Sequence, residues 1–318
     1  MLLLASRNLF QSKAKLVMST GGLALALLLV LALDAILTGA ETQISAYMNH
    51  AGADVWVSQS GVRNMHMSSS TLPAATTDRV RGVAGVADVT PILFLTSFVQ
   101  TGNDRHIVYV IGLPTDAAMG RPWKLAAGSA LPQPGQVVID SSVARTMNTR
   151  VGDKVRILDS SYRVSGLADG TANIVNSIAF ISIADFQTLR RSGDVVSYLL
   201  VRDAAGRTPE QVAAAIGREV PGVTVQTRVA FAASERKVVS DMVVDIANIM
   251  NLTGLMIGLA VMALSIYTVT LSRRAEFGLL KAIGARNQEL YTVVLAQSFI
   301  ALVLGLGLSV LMVLALSV

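Results

Sequence analysis

No cysteine occurs in the 318 residues, which excludes a disulfide framework, a zinc-thiolate site and a cysteine nucleophile together. Charge is scarce as well: 15% of residues are charged and 52% are hydrophobic, less charge and more apolar content than a soluble domain carries. Such a chain belongs in a membrane. The net charge of +5 does not point to nucleic acid, because the cations gather beside apolar runs and form no aromatic-interleaved stripe. Catalytic signatures are missing too. No G-x-x-x-x-G-K-[ST] is present to cradle nucleotide phosphates, and neither a G-x-S-x-G elbow nor H-E-x-x-H occurs. The nearest serine and lysine pairing, Ser234 with Lys237, falls on a helical stretch. The expectation is a protein that is not an enzyme, with no metal and no cofactor in this chain.

What is present is three long apolar runs, at 16–39, 246–271 and 290–318, which read as three transmembrane helices. From Lys15 to Asp34 is about 28 Å at helical rise, close to the thickness of a hydrocarbon core, so both charges reach headgroups. A cleaved signal peptide ending near Thr38 is the competing reading, but its apolar region would exceed the usual length, and an uncleaved anchor is expected. Ahead of it, residues 1–15 (MLLLASRNLFQSKAK) intersperse Leu2, Leu9 and Phe10 with Arg7, Lys13 and Lys15, the pattern of an amphipathic helix in the inner interface. The stretch 290–318 carries no charge, holds Gly305 and Gly307 for close helix packing, and ends without a polar terminator, so the natural protein is expected to continue. Residues 231–251 repeat apolar side chains at helical spacing and lead into the second run, predicting one rod of about 60 Å from 231 to 271; the alternative is a kink near Asn248 to Gly254.

Residues 40–245 differ in character, with ordinary charge, all eight prolines and both tryptophans. Short β-branched runs are strand candidates: 54–58, 89–99, 106–113, 137–140, 155–158, 162–167, 180–183 and 198–201. Helices are predicted over 74–82, 142–147, 184–191 and 209–220, giving an α+β domain large enough to fold without staples. A helix, glycine turn and strand unit recurs around Gly85 and Gly222, suggesting two similar halves of one subdomain. Between them, about 135–200 reads as a β-rich inserted second subdomain. The loop Ser58 to Pro73, rich in serine and glycine, reads as mobile and as a partner contact. Its Met65-His66-Met67 would suit Cu(I), but three ligands in a loop without supporting groups do not make a site.

Residues 272–289 (SRRAEFGLLKAIGARNQE) lie between two apolar runs and are too basic for lipid. Lys and Arg beside spans stay on the cytoplasmic face, so Arg273, Arg274, Lys281 and Arg286 place this segment and the N-terminus inside and residues 40–245 outside. Phe277, Leu280 and Ile283 fall on one side of a short helix, and Gly278 and Gly284 leave room for another surface. From spacing alone, a docking helix and a basic interfacial loop both remain open.

The run Glu276-Phe277-Gly278-Leu279-Leu280-Lys281-Ala282-Ile283-Gly284-Ala285 resembles the signature of ABC-transporter permeases of the MacB and FtsX type (type VII ABC superfamily). The block Gly135 to Gly166, with its Val151-Gly152-Asp153 turn, resembles the inserted β subdomain of the MacB-like periplasmic core. The resemblance implies a multi-pass cell-membrane permease with a fourth span beyond this chain. It implies a cytoplasmic coupling helix, 272–289, that docks a separate ABC ATPase subunit holding ATP and Mg. The positions it points to are Arg273, Arg274, Glu276, Phe277, Gly278, Leu280, Lys281, Ala282, Ile283, Gly284, Ala285, Arg286 and Asn287. It further implies a homodimer or a pair with a close homologue, an extracytoplasmic partner protein and membrane lipid as partners, and no nucleic acid. Export or extraction of a substrate, or mechanotransmission, is the expected function. Control of a cell-wall hydrolase without transport, nutrient import, and a membrane-anchored sensor without an ATPase are the alternatives.

Overall fold

The computed structural model describes residues 13–173, 177–190, 193–272, 274–284 and 286–316. Most of the expected N-terminal amphipathic helix, with Arg273 and Ala285, lies outside the described residues. In chain order the helices are α1 (Lys13–Ile44), α2 (Ala46–His50), α3 (Thr76–Arg81), α4 (Ser141–Thr146), α5 (Ile183–Arg190), α6 (Pro209–Glu219), α7 (Arg228–Ser272), α8 (Arg274–Ala282) and α9 (Asn287–Leu316). The strands are β1 (Val55–Gln59), β2 (Leu72–Pro73), β3 (Val86–Thr101), β4 (Asp104–Leu113), β5 (Leu125–Gly128), β6 (Gln136–Asp140), β7 (Lys154–Ile157), β8 (Ser160–Ala168), β9 (Ser177–Ser182), β10 (Val195–Val196), β11 (Tyr198–Asp203) and β12 (Val223–Thr227). They divide into two compact units, Gly39–Ser240 and the flanking Met1–Thr38 with Asp241–Val318.

In the flanking unit, Thr20–Ile44, Asn248–Ser272 and Ser298–Ala315 are long and apolar enough to cross a bilayer. Without water there is no hydrophobic drive between such helices, so small residues set how closely they pack. A Cβ on Gly22 would lie 2.7 Å from Val261 Cγ1, and one on Gly305 3.1 Å from Leu23 Cδ2, whereas one on Gly307 would meet nothing. Of the two glycines read as packing positions, only Gly305 therefore meets a neighbouring helix. α7 passes through 248–254 as one helix, and α1 runs on past Asp34 to Ile44.

The larger unit is built from two lobes that share a sheet. β1-α3-β3 and β11-α6-β12 lie in strand order β12-β1-β11-β3, the connectivity of a split β-α-β-β-α-β motif. This is the twice-used helix, glycine turn and strand; Gly85 and Gly222 make their turns at φ 99° and 83°. Thr208 caps α6 with Gln211 completing the capping box and Pro209 in the first turn, which fixes where that helix starts. Its Val212 and Ile216 pack on Val55, Val57, Leu199 and Val201, one face of the sheet.

β3 continues past this motif into a second lobe. It pairs β4, β4 pairs β9, β9 pairs β6, β6 pairs β8, β8 pairs β7, and β7 returns to β3, closing six strands into a small barrel. Period-2 alternation turns Val99, Val108, Val110, Val155, Ile157 and Val164 inward, with Phe186 of α5, to fill it. The β-rich lobe thus draws two strands from 86–113, ahead of the 135–200 stretch expected to hold it. A strand long enough to serve both lobes is not visible in local sequence.

Candidate functional site

The segment between the second and third apolar helices forms a short helix, a turn and a new helix start. α8 covers Arg274–Ala282, so Glu276, Phe277, Gly278, Leu280, Lys281 and Ala282 are helical. Ile283 and Gly284 form the turn, and Arg286 and Asn287 lead into α9. Ile283 stands one residue past the end of α8. Gly284 adopts φ 97°, its N–H donates to the Lys281 carbonyl at 3.1 Å, and the Ile283 N–H donates to the Leu279 carbonyl at 3.1 Å. This is a left-handed helix terminator, and only glycine enters it without steric cost. Gly284 therefore ends the helix; a Cβ on it or on Gly278 would meet nothing within 4 Å. Leu279 and Ile283 are 68% and 76% exposed, and Arg274 and Lys281 are exposed too, on the other side of α8 by helical spacing.

A second constellation lies at the foot of α7 within the larger unit. Phe231, Ala232 and Glu235 recur at helical spacing and all three are buried. Phe231 stacks on Trp56 with ring centroids 4.9 Å apart and meets Tyr198 edge-on at 6.0 Å. Glu235 accepts a hydrogen bond from the Met65 N–H and one from His66 Nδ1, the latter at 2.5 Å. A buried carboxylate is tolerated only with such donors, so the loop is tied to the helix by the charge it satisfies. His66 packs edge-on against Tyr109 at 4.7 Å, and the Tyr198 hydroxyl reaches the carbonyls of Asn64 and Ser68 at 3.2 and 3.3 Å. Burial, and then the Glu235 charge, push the Tyr198 hydroxyl well above its ordinary value, so it is a fixed donor.

This corrects the reading of Ser58 to Pro73 as a mobile loop. Met65 and His66 are held inward, while Met67 is exposed, so the three do not converge as metal ligands. Among the described residues no group of three or more His, Cys, Asp or Glu is placed to hold a metal ion. Ser234 Oγ donates to the Ala230 carbonyl at 3.0 Å and accepts from Gln226 Nε2, which occupies it structurally. Glu235 was not singled out by sequence. Its only signal is an acid one turn after Phe231 on an apolar helical face, and that becomes informative once the face is known to be buried.

Comparison with known proteins bears on both ends of the chain. Residues 16–219 match the model of the MacB-like periplasmic core domain, and residues 248–318 match the FtsX-like permease C-terminal model. Among solved structures, the periplasmic region of MacB from Actinobacillus actinomycetemcomitans aligns at 13% identity and a TM-score of 0.44, over 59% of this chain and 94% of that one. The extracellular domain of the noncanonic ABC-type transporter YknZ from Gram-positive bacteria aligns at 10% identity and a TM-score of 0.42, over 55% and 99%.

Proposed function

Because the chain belongs to the MacB-like periplasmic core domain family and is an ABC-transporter permease of the MacB and FtsX type, we propose that it turns ATP hydrolysis by a separate subunit into movement of its outside domain. ATP and Mg are held by that ATPase subunit. In this reading 274–287 faces the cytoplasm and docks the ATPase: Leu279 and Ile283 enter its groove, and Arg274, Lys281 and Arg286 meet its acidic rim. Arg273 and Ala285 belong to the same docking set by the resemblance of the run to the family signature. A second copy or a close homologue completes the pair that two ATPase subunits close upon.

α7 supplies the lever. It is one helix from Arg228 to Ser272, anchored at its outer end by Phe231 and Glu235 and followed directly by the coupling segment. A displacement of its inner end therefore reaches the Met65 to Ser68 loop through bonded and packed atoms, which supports mechanotransmission. Export, extraction of a substrate and mechanical signalling all use this step.

The observation that carries the reading is the exposed Leu279 and Ile283 pair on a helix and turn that packing of the chain itself leaves uncovered. The test is purification of the chain from its native membrane in mild detergent, with ATPase measured in the eluate. An equimolar ATPase subunit that is lost in Leu279→Asp with Ile283→Asp, while membrane insertion persists, is the expected result. A chain that elutes alone, or an ATPase retained by the double variant, overturns the docking assignment.

A further inference from the structure

On the outer wall of the barrel, alternation sends Phe98, Ile107, Arg105, Lys154, Arg156 and Arg163 away from the buried interior of β3, β4, β7 and β8. The register brings them together. Phe98 lies opposite Ile107, Gln100 lies opposite both Arg105 and Arg156, and Lys154 lies opposite Arg163. All four basic residues are exposed, and Phe98 and Ile107 are 46% and 44% exposed. No acid occupies an outward position in Thr96–Thr101 of β3, Arg105–Tyr109 of β4, β7 or β8. Asp104, Asp153 and Asp159 stand at strand ends, and Asp153 is engaged by the Arg150 N–H at 2.8 Å.

Folding does not ask for this arrangement. Like charges directly across a strand pair oppose pairing, and although Phe98 and Ile107 gain from facing each other, nearly half of each still lies in water. Arg156 is also pre-oriented, because its Nε and Nη2 both donate to Gln100 Oε1, at 3.2 and 2.7 Å. A fixed guanidinium loses little freedom on meeting a carboxylate. An apolar centre with an arginine-rich rim is the anatomy of a protein interface. A membrane-inserting hairpin would lead with apolar residues, whereas the β3–β4 tip is Gly102-Asn103-Asp104.

We propose that this wall docks an acidic extracytoplasmic protein, whose carboxylates meet Arg105, Lys154, Arg156 and Arg163 while an apolar side chain covers Phe98 and Ile107. The proposal names the chemistry of the outside partner and rests on the reading that places residues 40–245 outside the cell.

The test uses the full chain in its native membrane with a photoreactive phenylalanine at Phe98, and with the same group at exposed Leu125 of β5 as a control. The expected result is an adduct from position 98 to a protein segment rich in Asp and Glu, absent from position 125. Its yield should fall about tenfold in the Lys154→Glu, Arg156→Glu double variant and persist in Lys154→Arg. An adduct with lipid only, a protein adduct that survives the double reversal, or no adduct at position 98 overturns the proposal. The variant positions are exposed, so an unchanged melting temperature shows that the barrel is intact. ATPase co-purification is read on the same samples: its loss with the adduct retained would strike the coupling assignment, and the converse would strike this one.

Discussion

Gly284 shows how one residue can carry two readings. A missing side chain beside a docking surface and a missing side chain in a left-handed turn leave the same letter in the sequence. The φ of 97° gives the turn reading its physical reason, and the open space around a built Cβ leaves room for a partner as well. Gly284→Ala should cost about 1 kcal/mol locally and fray the end of α8, seen as faster amide exchange at Ile283 and position 284. Tryptophan at this position would disturb the backbone as well as any docking surface, so Leu279 and Ile283 make the cleaner probes. Asp203 is a second local case. Burial, then the carboxylates of Asp54 and Glu210, push its carboxyl up to about 6 from 3.8, and its Oδ1 is buried without a hydrogen-bond partner. Between those values the folded chain holds a proton that the unfolded chain has released, so stability falls as pH rises through the window. Asp203→Asn should raise the melting temperature near neutral pH, and the gain should shrink toward about pH 4; an equal gain at both would refute the assignment.

At the scale of elements, the tie between α7 and the Met65 to Ser68 loop depends on a single carboxylate. Glu235→Leu leaves the Met65 N–H and His66 without their acceptor and should cost about 1–3 kcal/mol. Limited proteolysis should then cut the chain between Asn64 and Ser70, and the parent protein should resist there. In the membrane unit, Gly22→Leu asks for volume where Val261 already lies within 2.7 Å of a built Cβ. Helices α1 and α7 should separate there, lowering thermal stability in detergent, whereas Gly307→Leu should be nearly silent. Element types were largely legible: the 3.6 and 2.0 periods place most helices and strands within two or three residues of where they lie. The short α2, β2, β5 and β10 are not placed from local sequence; β5 reads Leu-Ala-Ala-Gly, without the β-branched residues that mark the equally short β7.

For the whole molecule, the proposed lever depends on the continuity of α7. Val244→Pro removes a helical hydrogen bond at an exposed position and should kink α7 at a cost of about 3 kcal/mol. ATPase co-purification should survive, while ATP-dependent movement of the outside domain is lost. A pair of introduced cysteines can report that movement, because the chain has none of its own. Unchanged movement in the kinked variant would remove α7 as the lever. The sequence by itself determined the three apolar helices, the basic segment between two of them and the α+β character of the rest, because water, lipid and backbone hydrogen bonding act on each stretch through its own composition and period. It also carried the family resemblance in the run from Glu276. Only the tertiary structure decided that β3 serves two lobes, that six strands close a barrel with a basic outer wall, and that Glu235 holds His66 across a sequence separation of 169 residues. Those depend on which strand pairs with which and on which face is buried. Such pairings are settled by the joint burial of distant side chains, and no local window of the chain contains that sum.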